Sequence, residues 1–258
     1  MPNTLKQLAT VLTVSACLLA SPLSAGASPI GHQARQRVHS HRAHAPGSRA
    51  GARRQERQLA ASERQAKREE AARLRQLKRR DRRSAQQESS AAKISAVLAT
   101  PCANTELTPT AANLSVAEAA ALCLVNRERA EHGELPLVSN PDLQTAAEQH
   151  DSELIRVDYF AHVSPSGETP VDRIRDTGYI ASSSDGYVLG ENLAWGTYSL
   201  ATPASIVAAW IASPGHLANI LESQYTETGI AITPAVPESL AAGSPGATYA
   251  QEFGVIIH

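Results

Sequence analysis

Aromatic side chains are scarce in this 258-residue chain, with two Trp, two Phe and six Tyr. None lies between residues 28 and 100. That stretch therefore lacks the stacking platform used to hold single-stranded nucleic acid, and nucleic acid is not an expected partner. Cysteine is limited to Cys17, Cys102 and Cys123, too few for a disulfide-dense miniprotein. Two of them alone do not supply the four ligands of a structural zinc site. No apolar run reaches the roughly 20 residues of a bilayer span. The longest, around Leu8–Leu19, is broken by Thr and Ser, so no transmembrane helix is expected in the mature protein.

The near-neutral net charge of −1 hides two opposite halves. Residues 28–100 carry 18 Lys+Arg against 6 Asp+Glu, and residues 101–258 carry 5 against 19. A basic polar arm is fused to an acidic globular part, whose roughly 158 residues suffice for one domain with a real core.

The front of the chain reads as an address. Lys6, the apolar stretch and Ala25-Gly26-Ala27 have the layout of a secretory signal over residues 1–27, cleaved before Ser28. Val14-Ser15-Ala16-Cys17 also fits a bacterial lipobox that would lipidate Cys17. The A-x-A site beyond it favours ordinary cleavage. Export would place Cys102 and Cys123 in an oxidising compartment, where they either pair or remain free thiols. Pairing closes a loop of about 20 residues, worth roughly 3 kcal/mol.

Within the arm, residues 28–48 hold His32, His39, His41 and His44, read as a weakly metal-binding tract rather than a specific site. Residues 53–90 have no Gly or Pro and are rich in Ala, Gln, Glu, Arg and Lys, all helix formers. Leu59, Leu74 and Leu77 are too few for a heptad seam, so the stretch reads as a solvated helix or a disordered arm. Its cations point to an anionic cell-envelope polymer or lipid head groups, or to a plain spacer.

Residues 101–114 read as a linker carrying Cys102, and 115–258 as the domain. Ser115-Val116-Ala117-Glu118 has the spacing of a capping box, opening a helix that ends at His132-Gly133. Asn140-Pro141 opens another, with Leu143, Ala146, Ala147, His150, Leu154 and Val157 on one stripe. His150 there reads as a packed, hydrogen-bonded core histidine rather than a ligand. Thr169-Pro170 and Thr202-Pro203 start two more helices, and Ser213-Pro214-Gly215 breaks the second. Strands are expected over 187–195, 228–233 and 248–257. Alternation puts Glu191 on one face with Leu189, Leu193 and Trp195. A carboxylate on an apolar face is costly without a partner or a proton. Helices flanking a small mixed sheet make an α+β fold.

Several motifs stand in a particular order: Asn126-Arg127-Glu128-Arg129, Leu135-Pro136-Leu137, Tyr159-Phe160-Ala161-His162, Gly190-Glu191-Asn192-Leu193-Ala194, Trp210-Ile211-Ala212-Ser213-Pro214-Gly215-His216 and Ala250-Gln251-Glu252-Phe253-Gly254. The ordered set resembles the CAP superfamily (cysteine-rich secretory proteins, antigen 5, pathogenesis-related 1) in its bacterial SCP-domain form. The resemblance implies a three-layer α-β-α sandwich with a cavity usually lined by two His and two Glu. Carried over by position, His162 and His216 are the histidines and Glu191 is one glutamate. The second glutamate position falls on Ser213. No cofactor is demanded, but the resemblance admits zinc or another divalent metal on His162 and His216, with Glu191 beside them.

Three functions follow as expectations. One is a non-enzymatic exported binding module with a small ligand in the cavity. Another is a metal-dependent hydrolase of peptides or esters using His162, Glu191 and His216. The third is envelope tethering through the arm. A serine mechanism is disfavoured, because Ser213 lacks a Gly-x-Ser-x-Gly elbow and an Asp orienter.

Overall fold

The computed structural model describes residues 47–257, with side chains from residue 49. The leader, Cys17 and the four arm histidines lie outside the described residues. The chain divides into two units, residues 1–64 and 65–258. In both, the described part of the arm is helical: α1 runs Gly47–Ala99. The helix formers read from residues 53–90 thus do form a helix, exposed at every residue from 49 to 89.

The domain in the second unit begins with α2 (Leu114–Glu131), which buries Ala117, Ala120, Ala121, Val125, Arg129 and Ala130. The capping box expected at Ser115 does not form. Asn113 is the N-cap, and its side chain accepts from the Thr110 amide (2.7 Å) in the preceding turn. Helix geometry therefore starts one residue before Ser115. Next come β1 (Val138–Ser139) and α3 (Pro141–Val157). Here the expected cap does form, with the Asn140 side chain accepting from the amides of Asp142 (2.9 Å) and Leu143 (3.3 Å). The expected stripe of α3 is buried from Leu143 to Leu154, while Val157 at its end is exposed.

Helix α4 (Pro170–Asp176) carries a complete capping box of Thr169 and Asp172. Strand β2 (Gly186–Thr197) is followed by a 3-10 turn (Tyr198–Ala201), α5 (Pro203–Ala212) and α6 (Pro214–Ile220). The chain ends with β3 (Glu227–Thr233), α7 (Glu238–Ala241) and β4 (Gly246–Ile257).

The sheet order is β1-β3-β4-β2. β1 is parallel to β3, and the β3–β4 and β4–β2 pairs are antiparallel. Central β4 is buried without interruption from Ala247 to Gly254, because helices cover both faces. On one face Val125, Ile206, Trp210 and Ile220 from α2, α5 and α6 pack on Ile230, Tyr249 and Phe253. The Trp210 indole N–H donates to the Leu193 carbonyl (3.2 Å), pinning α5 to β2. On the other face α3 lies over Leu193, Ala231 and Ala250, and α4 packs with Leu189 and Ile256. Their approach is close: a Cβ on Gly229 would stand 2.2 Å from the backbone of Leu143. The result is the α+β, three-layer sandwich expected from the sequence. The Cys102 and Cys123 sulfurs are bonded across 21 residues of chain, joining the linker to α2.

Candidate functional site

The site grows from one register relation. In the β2–β4 ladder Glu191 stands directly opposite Glu252, so both carboxyls project onto the face covered by α3 and α4. Two buried carboxylates side by side cannot both ionise cheaply. Burial first, then the neighbouring Glu191, hold Glu252 well above the ordinary glutamate range. Glu252 is the member of the pair that its surroundings push toward the neutral form. Neither of its buried oxygens has a hydrogen-bond partner, so no donor offsets the cost of burying its charge.

Glu191 remains ionised for reasons visible around it. Burial pushes its carboxyl up, but the hydrogen bond from His162 and the positive charge nearby bring it below its ordinary value. His162 Nδ1 lies 2.5 Å from Glu191 Oε1, and Arg173 donates to Oε2 at 2.8 Å. Arg173 comes from α4 and is fully buried. The same NH2 group also donates to the His162 carbonyl (2.8 Å), so one guanidinium neutralises the acid and holds the histidine loop.

His150, on α3, closes the cluster from beneath. Its Nε2 is 3.6 Å from Glu191 Oε2 and has no hydrogen-bond partner. Its Nδ1 is 3.4 Å from the Tyr159 hydroxyl. Burial outweighs the attraction of Glu191 and lowers its pKa to about 4, leaving a neutral ring. The Tyr159 hydroxyl donates to Glu153 (2.7 Å), as does the Ser164 hydroxyl (2.6 Å).

His162 is the member that meets solvent, with its side chain 55% exposed. The hydrogen bond to Glu191 raises its pKa. His216, on α6, is half-buried. Burial lowers its pKa and the charge of His162 lowers it further, so the two imidazoles stand near enough to repel as cations. Asn192 and Asn219 hold α6 on β2: Asn192 donates to the His216 carbonyl (3.2 Å), and Asn219 donates to the Glu191 carbonyl (3.1 Å). Ser213 is the residue shared by the end of α5 and the start of α6, with no side-chain cap on the second helix.

The structure therefore brings His162 to Glu191 directly and His216 into electrostatic range of His162. Arg173, Glu252, Tyr159 and Ser164 join them, although the sequence reading assigned them no role there. His150 is buried on α3, with Nδ1 toward the Tyr159 hydroxyl and Nε2 toward Glu191. A metal fits this arrangement poorly. Both Glu191 oxygens are engaged by protein donors, and among the described residues no three His, Cys, Asp or Glu side chains are grouped to hold an ion. His162, Glu191 and His216, the set on which the resemblance admits zinc, are not among any such group. Glu191 instead orients one ring of His162 through Nδ1.

Comparison with known proteins agrees with the motif order. Residues 122–236 match the family model described as CAP, the cysteine-rich secretory protein family. The uncharacterized protein YkwD of Bacillus subtilis (strain 168) is 33% identical over 107 residues, covering 42% of this chain and 38% of that protein. The uncharacterized membrane protein YlbC of the same organism is 30% identical over 111 residues, covering 43% of this chain and 30% of that protein. The chain thus spans about a third of the length of these curated relatives. Among solved structures, an extracellular SCP-domain protein of Bacillus anthracis str. Ames superposes with a TM-score of 0.42 at 24% identity, covering 55% of this chain and 40% of that one. An outer surface protein of Borrelia burgdorferi gives 0.42 at 19%, covering 52% and 87% respectively. By its ordered motifs and this match, the segment of residues 122–236 is similar to the CAP (cysteine-rich secretory protein) family.

Proposed function

We propose that this CAP-domain protein is an exported, non-enzymatic binding module whose ligand contacts the exposed edge of His162. The observation that supports this most is the engagement and burial of Glu191. With one oxygen on His162 and the other on Arg173, the carboxylate serves two protein donors, and its side chain is only 2% exposed, which keeps it from solvent water. What reaches solvent is an imidazole whose inner nitrogen is already occupied and whose pKa is raised. Such a ring presents an N–H outward, which suits a ligand bearing a carboxylate, phosphate or hydroxyl oxygen. The Cys102–Cys123 bond supports an extracellular or envelope setting, since such bonds persist in oxidising compartments.

Thermal-shift titration with lipids, sterols and cell-wall fragments tests the reading. A true ligand at a hundredfold excess over its Kd adds about 2.7 kcal/mol of stability, and His162→Ala removes that gain. Absence of stabilisation by every class, or stabilisation that survives His162→Ala, would overturn it. Chelator-sensitive cleavage of a peptide or ester would restore the hydrolase reading in its place.

A further inference from the structure

Helix α1 is not evenly charged around its circumference. In its second-unit part, Lys67, Arg68, Arg75, Lys78, Arg79, Arg82 and Lys93 fall within a sector of about 120° when wound at 100° per residue. Glu70, Asp81 and Glu88 lie outside that sector, within about 20° of one another, and Glu69 lies outside it as well. Among the described residues the ion pair of this helix is Arg80 with Asp81 at 3.9 Å, and Arg80 is off the stripe. The stripe cations are all exposed. In the first unit, taken by itself, Arg49, Arg53, Arg57 and Arg64 are spaced at intervals of four and seven, which also keeps them on one side.

We propose that this stripe is a docking surface for a linear polyanion, a polymer carrying a phosphate or phosphodiester charge every few ångströms, lying along the helix. The proposal is independent of the ligand reading of the CAP domain. Charge spacing supports a linear partner. At 1.5 Å per residue, Lys67 to Arg82 sets six cations along roughly 23 Å, about one per 4 Å. A single phosphodiester strand carries one charge per roughly 3.4 Å. The apolar residues argue against a bilayer. Leu74 and Leu77 lie on the ridge of Glu70 and Asp81, so a surface that took the leucines would meet carboxylates, and one that took the cations would leave the leucines in water. An interfacial helix needs an apolar face to bury. Without aromatic residues on α1, the partner is read through its charges and not through stacking.

The test uses the full chain, linear inorganic polyphosphate as the probe, and two variants matched in charge. The on-stripe variant carries Arg68→Gln, Arg75→Gln and Arg79→Gln, and the off-stripe variant carries Arg73→Gln, Arg80→Gln and Arg83→Gln. Both lose three positive charges, and glutamine keeps helix propensity, which far-UV circular dichroism checks for each. The on-stripe variant is expected to bind polyphosphate about tenfold more weakly or worse, with the slope of log K against log salt reduced by roughly 2. The off-stripe variant should change by less than about threefold. Equal weakening of the two would show that net charge alone acts and would overturn the stripe. So would binding to phosphatidylglycerol vesicles with none to polyphosphate.

Discussion

Glu191 and Glu252 face each other across the β2–β4 ladder, the carboxyl of Glu191 held below its ordinary pKa and that of Glu252 well above it. The asymmetry has a cause: His162 and Arg173 both reach Glu191, while Glu252 is buried with Glu191 as its neighbour.

A protonated Glu252 makes stability depend on pH in a definite sense. Its pKa in the folded protein lies above the ordinary 4.5, so the fold retains a proton that the unfolded chain releases. That contribution is complete below pH 4.5 and is lost as pH rises through the folded value. Glu252→Gln, a mimic of the protonated acid, should match the parent at pH 4 and exceed it at pH 9 in urea midpoint. A variant less stable at both values would contradict the assignment.

Arg173 is expected to be the most sensitive positioning residue of the site. Arg173→Met leaves the Glu191 carboxylate buried without its compensating charge, at a cost of about 3–5 kcal/mol. The double variant Arg173→Met with Glu191→Gln should recover a large part of that loss. Chemical denaturation of the full cycle measures it, and strictly additive losses would deny the coupling.

His162 should titrate above the ordinary 6.5, because Glu191 holds its charged form. The stability gained from the pair is complete below pH 6.5 and disappears as pH climbs through the raised value. In Glu191→Gln the ring loses its partner and burial dominates, so its midpoint should drop. Imidazole proton shifts followed by NMR across pH 5–9 read this directly, and an unmoved midpoint would reject the hydrogen bond as its cause.

Reduction of Cys102–Cys123 should cost roughly 3 kcal/mol, the loop-entropy value for a closure of about 20 residues. Unfolding of the parent with and without reductant, beside a Cys102→Ser, Cys123→Ser variant, gives the number. Equal stability of all three would mean that the linker is held without the bond.

Much of the architecture was legible because it is written in local rules. Asn140-Pro141, Thr169-Pro170 and Thr202-Pro203 marked three helix starts, since a capping side chain and a proline act within one turn. The stripe on α3 announced its buried face through spacing alone. The failure at Ser115 is instructive. Its spacing to Glu118 was right for a cap, but the turn made by Asn113 and Thr110 began the helix earlier, and a residue inside a helix cannot cap it.

By itself the sequence determined the basic arm, the acidic domain, the period of each helix and strand, and the suspicion attached to Glu191. Each of these depends on neighbours within a few residues. Only the tertiary structure decided what surrounds that acid. Glu252 meets it through a ladder register 61 residues away in the chain, Arg173 arrives on a separate helix, and His150 points inward from a third. Register and helix placement are settled by packing a whole core on both faces of the sheet. No short stretch of residues carries that information, because the burial that fixes it is shared among elements distant in sequence.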